Sequence, residues 1–465
     1  MSIVEETVSE TLKPETLRQL RAGAALHMDH YGGQRFPVAC LEAKGILQRV
    51  AALEGPQAGR VFELVDASGA YASACLGAGH PVIKRALSEA VERVGYVSDE
   101  VGSLERAKLL DLLFGEEGVL GPEYRGGRYH VSGRNSGSEG LELALRLVVE
   151  SRVDHGRRTV REGYAERRTI LAFEGAWHGW TAGAASLLNR PYFRHGLPEW
   201  SREGPYGLDV THIPFGEPGM LEELFARSGH TLAAVFVEPV QGDAGILVPP
   251  AGYLRRLSGL CREHGVILVA DEVLTFAKTG RLLAMADEQG PIPADVTVVG
   301  KSLGMGVLST SLVIARRELT VRPIGAVTTS DLRPLTCAVI RRGLEHIVDE
   351  GLLERSRVLG AEFRELLRSE IVERFPEVYT EVRGLGYLNG IEVTERVAPA
   401  VTALRGRLVE HGVYTESMAG VRRSGGLRRI YPCVRLAPPL ITTREDLGRI
   451  VEHLRAGTEA FVRHG

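Results

Sequence analysis

Two stretches decide the fold of this chain: GVILVADEV at residues 265–273 and ADVTVVGKSLGMG at 294–306. In each, an apolar run rich in Val and Ile ends on an ionisable side chain, Asp271 in the first and Lys301 in the second. The runs are continuous rather than alternating, which is the pattern of strands buried on both faces. Further runs of this kind are TILAF (169–173), AAVFVEP (233–239), VTVVG (296–300) and SLVIA (311–315). Between them the spacing predicts helices at 137–151, 218–227, 252–264 and 281–288. Strand and helix in alternation give an α/β fold, a parallel sheet with crossover helices. Ligands in such sheets gather beyond the carboxyl ends of the strands, where Asp271 and Lys301 both fall.

After about residue 330 the pattern changes. Arg/Glu-rich helices are predicted at 334–350 and 351–372, short strands near 380–393 and 430–436, and a final helix at 443–463. The stretch 416–428 has Gly and Arg but few apolar residues and reads as an exposed loop. The division predicted is a large domain at 71–330 and a small α+β domain at 331–465, with residues 1–70 packing on the small one. A length of 465 residues suits two such units. Hydrophobic content of 44%, charged content of 25% and a net charge of −3 are those of a soluble globular protein and point to no nucleic-acid partner. The first residues, MSIVEETVSETLKPET, are acidic and carry no apolar signal, and no apolar run is long enough to cross a bilayer. Five scattered cysteines without a CxxC read as reduced thiols in a cytoplasmic setting. No His/Cys/Asp cluster has metal-ligand spacing.

The chemistry begins with the acid–amine pair. An aspartate and a lysine at the ends of two buried strands suit pyridoxal 5′-phosphate, the lysine forming a Schiff base and the acid keeping the pyridine nitrogen protonated. The chain has only six lysines and none follows Lys301. GKS also ends a nucleotide-binding loop, but that motif needs a glycine where this chain has Asp295. Upstream, Ser136, Gly137 and Ser138 open a predicted helix. Alone they read as an N-cap; beside the pair they read as a phosphate site. Trp177 and His178 follow the TILAF strand. Trp177 is either a core aromatic or a ring that stacks on the pyridine, with Val273 on the opposite face, and His178 reads as a hydrogen-bonded neighbour. Glu238, beyond AAVFV, either meets the cofactor or a substrate amine or forms a structural ion pair.

Taken together and in order, NSGSEG (135–140), AWHGW (176–180), EPVQGDAG, PPAGYL, ILVADEV, VTVVGKSLGMG, RGLGYLNGIEV (383–393) and VRLAPPLITT (434–443) resemble the class III (ornithine/GABA-type) aminotransferase family of fold type I pyridoxal-phosphate enzymes. The resemblance spans roughly residues 40 to 460. It implies a large domain built on a mainly parallel, seven-stranded-type sheet, plus a small α+β domain. It assigns phosphate binding to Gly137 and Ser138, ring stacking to Trp177, the ring nitrogen to Asp271, ring packing to Val273 and the covalent attachment to Lys301. Thr329 matches the threonine that reaches the phosphate from a second subunit, implying a homodimer with sites at the interface. Arg435 matches the arginine that binds a substrate carboxylate.

The chain also departs from the family pattern. Leu274 stands where the family has a glutamine that bonds the ring phenol. Phe-Ala-Lys-Thr-Gly replaces a longer Gly-Phe-Gly-Arg-Thr-Gly, and AVTTSDLRP (326–334) replaces a His-Gly-rich segment. The drift suggests specialised metabolism, with an amino sugar or aminoglycoside intermediate as substrate. Elimination of water or epimerisation on the same scaffold is the alternative reaction. A non-catalytic regulator is a third reading, without the basic DNA-binding segment it would need.

Overall fold

The apolar runs assemble into one seven-stranded sheet in the computed structural model, which describes residues 11–28, 36–189, 207–320, 328–424, 427–430 and 432–464. Side chains of 421–424, 427–430 and 464 are outside that description. Across the sheet the strands run Tyr129–Arg134, Ser311–Arg316, Val296–Val299, Ile267–Glu272, Leu232–Val237, Thr169–Phe173 and Asp209–Ile213. Neighbours from Val296–Val299 to Asp209–Ile213 are parallel. Ser311–Arg316 is antiparallel to both its neighbours. The reason is chain length. A parallel return needs a crossover of about a dozen or more residues, and the 300–310 link is too short and folds as a tight turn.

Alternate residues of each strand serve opposite faces, which is why the runs are continuous in sequence. Ile170, Ala234, Phe236, Val269, Val298 and Val313 meet helix Gly137–Ser151 through Leu141, Leu145 and Val148. Leu171, Phe173, Val235, Val237, Leu268 and Ala270 meet helices Pro218–Ser228 and Tyr253–His264 on the other face. Each such aliphatic or aromatic side chain contributes roughly 1.5–3 kcal/mol on burial. Helix Gly137–Ser151 starts where Ser136 Oγ accepts from Glu139 N–H at 3.2 Å and Glu139 accepts from Asn135 N–H at 3.1 Å. Gly140 lets the helix approach the sheet, since a Cβ there would lie 2.6 Å from Val298 Cγ1.

A second sheet orders Tyr379–Leu385, Leu388–Val393, Cys433–Leu436 and Glu416–Met418. A third joins Val38–Lys44, Leu47–Ala52 and Val61–Asp66, with Val413–Tyr414 added in parallel to the last. Helices Pro334–Asp349, Leu352–Leu367 and Arg444–His464 pack nearby in the largest apolar cluster.

Two sequence expectations are corrected. Residues 281–288 form no helix: they run as turns into a two-residue strand, Ala286–Asp287. Buried Glu272 takes the N–H groups of Ala284 (3.0 Å) and Met285 (2.6 Å), removing them from any helical ladder. The stretch 416–428 is not an exposed loop. Glu416–Met418 is a strand paired with Cys433–Leu436, and Val421–Ser424 pairs with Leu427–Ile430. Residues 425–426, like 326–327 of the AVTTSDLRP segment, lie outside the described residues.

Candidate active site

Strands Ile267–Glu272 and Val296–Val299 are adjacent and parallel, with Asp271 opposite Val298, so Asp271 and Lys301 emerge at the same sheet end. Asp271 is buried. Its Oδ1 accepts from Val273 N–H at 3.1 Å, and its Oδ2 lies 2.9 Å from His178 Nδ1. Against a carboxylate that ring nitrogen donates. His178 is itself buried, edge-on to Phe236, and its Nε2 has no partner among the described residues. The histidine therefore fixes the rotamer of Asp271.

Lys301 begins a short 3-10 turn, Lys301–Gly304, with a φ of +43°, in the left-handed region rare for residues with a Cβ. Burial pushes its amine below the usual lysine range, and the Arg435 charge pushes the same way; Asp243, Glu416 and Glu238 oppose them. Ser302 Oγ anchors the turn by donating to Ala72 O at 2.7 Å.

A cavity of about 430 Å3 opens above this sheet end. Ser136, Gly137, Ser138, Trp177, His178, Glu238, Asp271, Val273 and Lys301 all line it. The helix start at Gly137 points its free N–H groups there, suited to an anion. Gly137 leaves room for Val273: an added Cβ would lie 2.6 Å from Val273 Cγ1. Trp177 and Trp180 stack with centroids 6.1 Å apart at 7°. Glu238 accepts from Trp177 N–H (3.1 Å) and Gly242 N–H (3.2 Å). Burial pushes its carboxyl up to about 7, with Asp271 adding to the rise and His178 opposing it. These groups fit pyridoxal phosphate: an anion site at a helix start, a buried acid held by a histidine, a lysine, and flat apolar walls.

Two predicted residues lie elsewhere. Thr329 is not among the lining residues; its carbonyl accepts from Arg333 at 3.3 Å. Arg435 is fully buried outside the lining, donating to Glu416 and lying 5.7 Å from the centroid of the Tyr71 ring. Glu416, Tyr71 and Asp243 went unnoticed in the sequence. Glu416 stands in a polar stretch with no periodic signal, and Tyr71 sits among Gly, Ala and Ser. Asp243, in EPVQGDAG, was signalled only by its place in a singled-out segment. The departures fall here too. Leu274 lines the cavity, and Lys278 is wholly buried, donating to the carbonyls of Ala437 (3.2 Å) and Pro438 (3.0 Å).

The profile of the aminotransferase class-III family matches residues 57–457. The chain belongs to the class III aminotransferases. A mitochondrial ornithine aminotransferase of Oryza sativa subsp. japonica is 30% identical over 453 residues, covering 95% of this chain and 85% of that one. Ornithine aminotransferase 2 of Staphylococcus saprophyticus is 30% identical over 439 residues, covering 92% and 96%. Among solved structures, an ornithine aminotransferase from Toxoplasma gondii superposes with a TM-score of 0.78 at 27% identity, covering 98% of this chain and 97% of that one. Another structure of a Toxoplasma gondii ornithine aminotransferase shows partial occupancy of pyridoxal phosphate at its active site. As a class III aminotransferase, the chain is a fold type I enzyme whose cofactor is pyridoxal 5′-phosphate. Among the described residues no helix is long and apolar enough to cross a membrane.

Proposed function

We propose that this class III aminotransferase takes its amino group from, or delivers it to, a carboxylate-free amine of specialised metabolism, an amino sugar or aminoglycoside intermediate. The carrying observation is the convergence of Lys301 and the Asp271–His178 pair on a cavity with acidic groups, Glu238 and Asp243, in its wall. Acidic walls attract ammonium groups and repel carboxylates.

When bound, pyridoxal phosphate supplies an aldehyde for the amine and a ring that accepts electrons. The chain's own residues do the rest. Ser136, Gly137 and Ser138 hold the phosphate at the helix start. Trp177 and Val273 confine the ring from its two faces. Asp271, oriented by His178, keeps a proton on the ring nitrogen. Lys301 is the covalent anchor and then the base, its depressed basicity leaving part of it neutral and able to move a proton on the substrate carbon. Glu238, near 7, can hold or release a proton at the substrate amine. Thr329 reaches the phosphate of a second subunit. An exposed apolar strip of Val91, Val94, Tyr96, Val101 and Leu104 supports that homodimer. Tyr96 stacks under Arg333, and Arg106 donates to the carbonyls of Asp331 and Leu332, tying the strip to the segment that carries Thr329. The pairing of Val413–Tyr414 with Val61–Asp66 supports grouping residues 1–70 with 331–465. Five free cysteines suit a cytoplasmic setting.

The test is a half-reaction panel of amino sugars, ω-amino acids and L-ornithine, following the cofactor spectrum and the product mass. Conversion to the pyridoxamine form with a carbonyl product from an amino sugar supports the proposal. Conversion by L-ornithine alone would assign the relatives' substrate instead. Leu274, in the cavity wall, motivates elimination as a second reading, and loss of water without that conversion would establish it. Lys301→Ala should abolish every turnover.

A further inference from the structure

Arg435 and Glu416 are direct partners across two antiparallel strands. Both are 1% exposed. Arg435 Nε donates to Glu416 Oε2 at 2.8 Å, and Nη2 donates to the same oxygen. The other carboxylate oxygen, Oε1, is buried and meets no partner among the described residues. A pair built for stability would use both oxygens in a fork, and a buried, half-satisfied carboxylate is costly. Its retention calls for another role. The guanidinium also lies 5.7 Å from the Tyr71 ring centroid, so its face is covered as well. Its charge still acts on Lys301, together with those of Glu416 and Asp243.

A carboxylate arriving at Arg435 would have to displace Glu416, leaving a buried anion without its partner beside a second anion. Both consequences are unfavourable. We infer that Glu416 is a specificity-determining residue: by occupying the Arg435 guanidinium from within, it closes that subsite to carboxylate-bearing substrates. This rests on the proposed function, since exclusion has meaning only for an amine-converting site. It also separates this chain from one in which a free arginine selects amino acids.

The test uses the holoenzyme. With the wild type, glutarate should leave the cofactor absorbance unchanged, and L-glutamate should convert it only at high concentration, whereas a 6-amino-6-deoxyhexose converts it readily. Glu416→Gln should lower the apparent KM for L-glutamate by roughly 100-fold, kcat changing little, because a binding penalty has been removed. Glutarate should then perturb the spectrum and compete. Tight glutarate binding to the wild type would overturn the inference without any variant, so a Glu416→Gln protein that fails to fold leaves it open to refutation. An unchanged preference in a folded Glu416→Gln would overturn it too. Wild-type enzyme converted equally by L-glutamate and the amino sugar would sink the inference while the aminotransferase activity stands. No conversion by any amine would remove the proposed function and this inference with it.

Discussion

Gly137→Ala tests the cofactor site through geometry alone. The added Cβ would lie 2.6 Å from Val273 Cγ1, 2.9 Å from Cγ2 and 3.4 Å from Cβ. Val273 has little freedom to step aside. It is β-branched, with one favoured rotamer, and its N–H is held at 3.1 Å by Asp271 Oδ1. The backbone of Gly137 is not in the left-handed region, so alanine brings no φ penalty, only the clash. Overpacking of this kind costs about 1–3 kcal/mol. Either the helix start retreats from the anion site or Val273 rises into the cavity, so the cost should appear in cofactor binding. That corresponds to a dissociation constant for pyridoxal phosphate raised by roughly 5- to 150-fold.

Two further alanines grade the effect. Gly300→Ala places its Cβ 3.2 Å from the same Val273 Cγ1 and should weaken binding only a few-fold. Gly406→Ala, in helix Val401–Glu410 with nothing within 4 Å, should leave cofactor affinity alone and add about 0.5–1 kcal/mol of stability. The assay is titration of each apoenzyme with pyridoxal phosphate, followed by absorbance and by the rise in melting temperature on binding. Affinity of a folded Gly137→Ala within two-fold of wild type, or a larger loss in Gly300→Ala, would show that Val273 and the helix start do not form the cofactor's floor.

Other outcomes follow from the same contacts. His178→Phe removes the 2.9 Å bond that orients Asp271 and should slow the amine half-reaction by roughly 10- to 100-fold in stopped-flow spectra, with cofactor still bound. Burial pushes the Glu272 carboxyl up to about 7 from 4.5, against the lowering bonds from Thr275, Ala284 and Met285. A raised folded-state value means stability fully present below about pH 4.5 and lost as pH rises through 7, a change of about 3 kcal/mol. Urea unfolding of the apoenzyme at pH 5 and pH 8 should show that loss, and Glu272→Gln should flatten it; Glu238 adds a second contribution of the same sign. Phe363→Ala empties a fully buried position and should cost about 3–5 kcal/mol in urea midpoint, with no change in the preference among amines.

What was legible in the sequence was what neighbours along the chain determine. The five apolar runs became strands because both faces of each are covered, and 137–151 became a helix because Ser136 and Glu139 cap it locally. The antiparallel turn of Ser311–Arg316 was within reach too, since the length of 300–310 forbids a crossover. What was hidden depends on partners far along the chain. Residues 281–288 carry an apolar LLAM, which suits a helix, until the Glu272 carboxylate claims two of its N–H groups. Tyr71 shows the same thing at higher stakes. Gly69, Ala70, Tyr71 and Ala72 all have φ between +49° and +63°, and three of them carry a Cβ. A left-handed turn costs roughly 1–2 kcal/mol for each such residue. No local rule selects it from GAYA. The opposing contacts are specific: Asp66 Oδ1 accepts the N–H groups of Ser68 and Gly69, Asp66 Oδ2 accepts that of Ala70, and Ser302 Oγ donates to Ala72 O. The last of these comes from the residue beside Lys301. The strain that aims Tyr71 at Arg435 is therefore held in place by the turn that carries the lysine, so the substrate-facing residues and the covalent anchor are set by one connected piece of backbone.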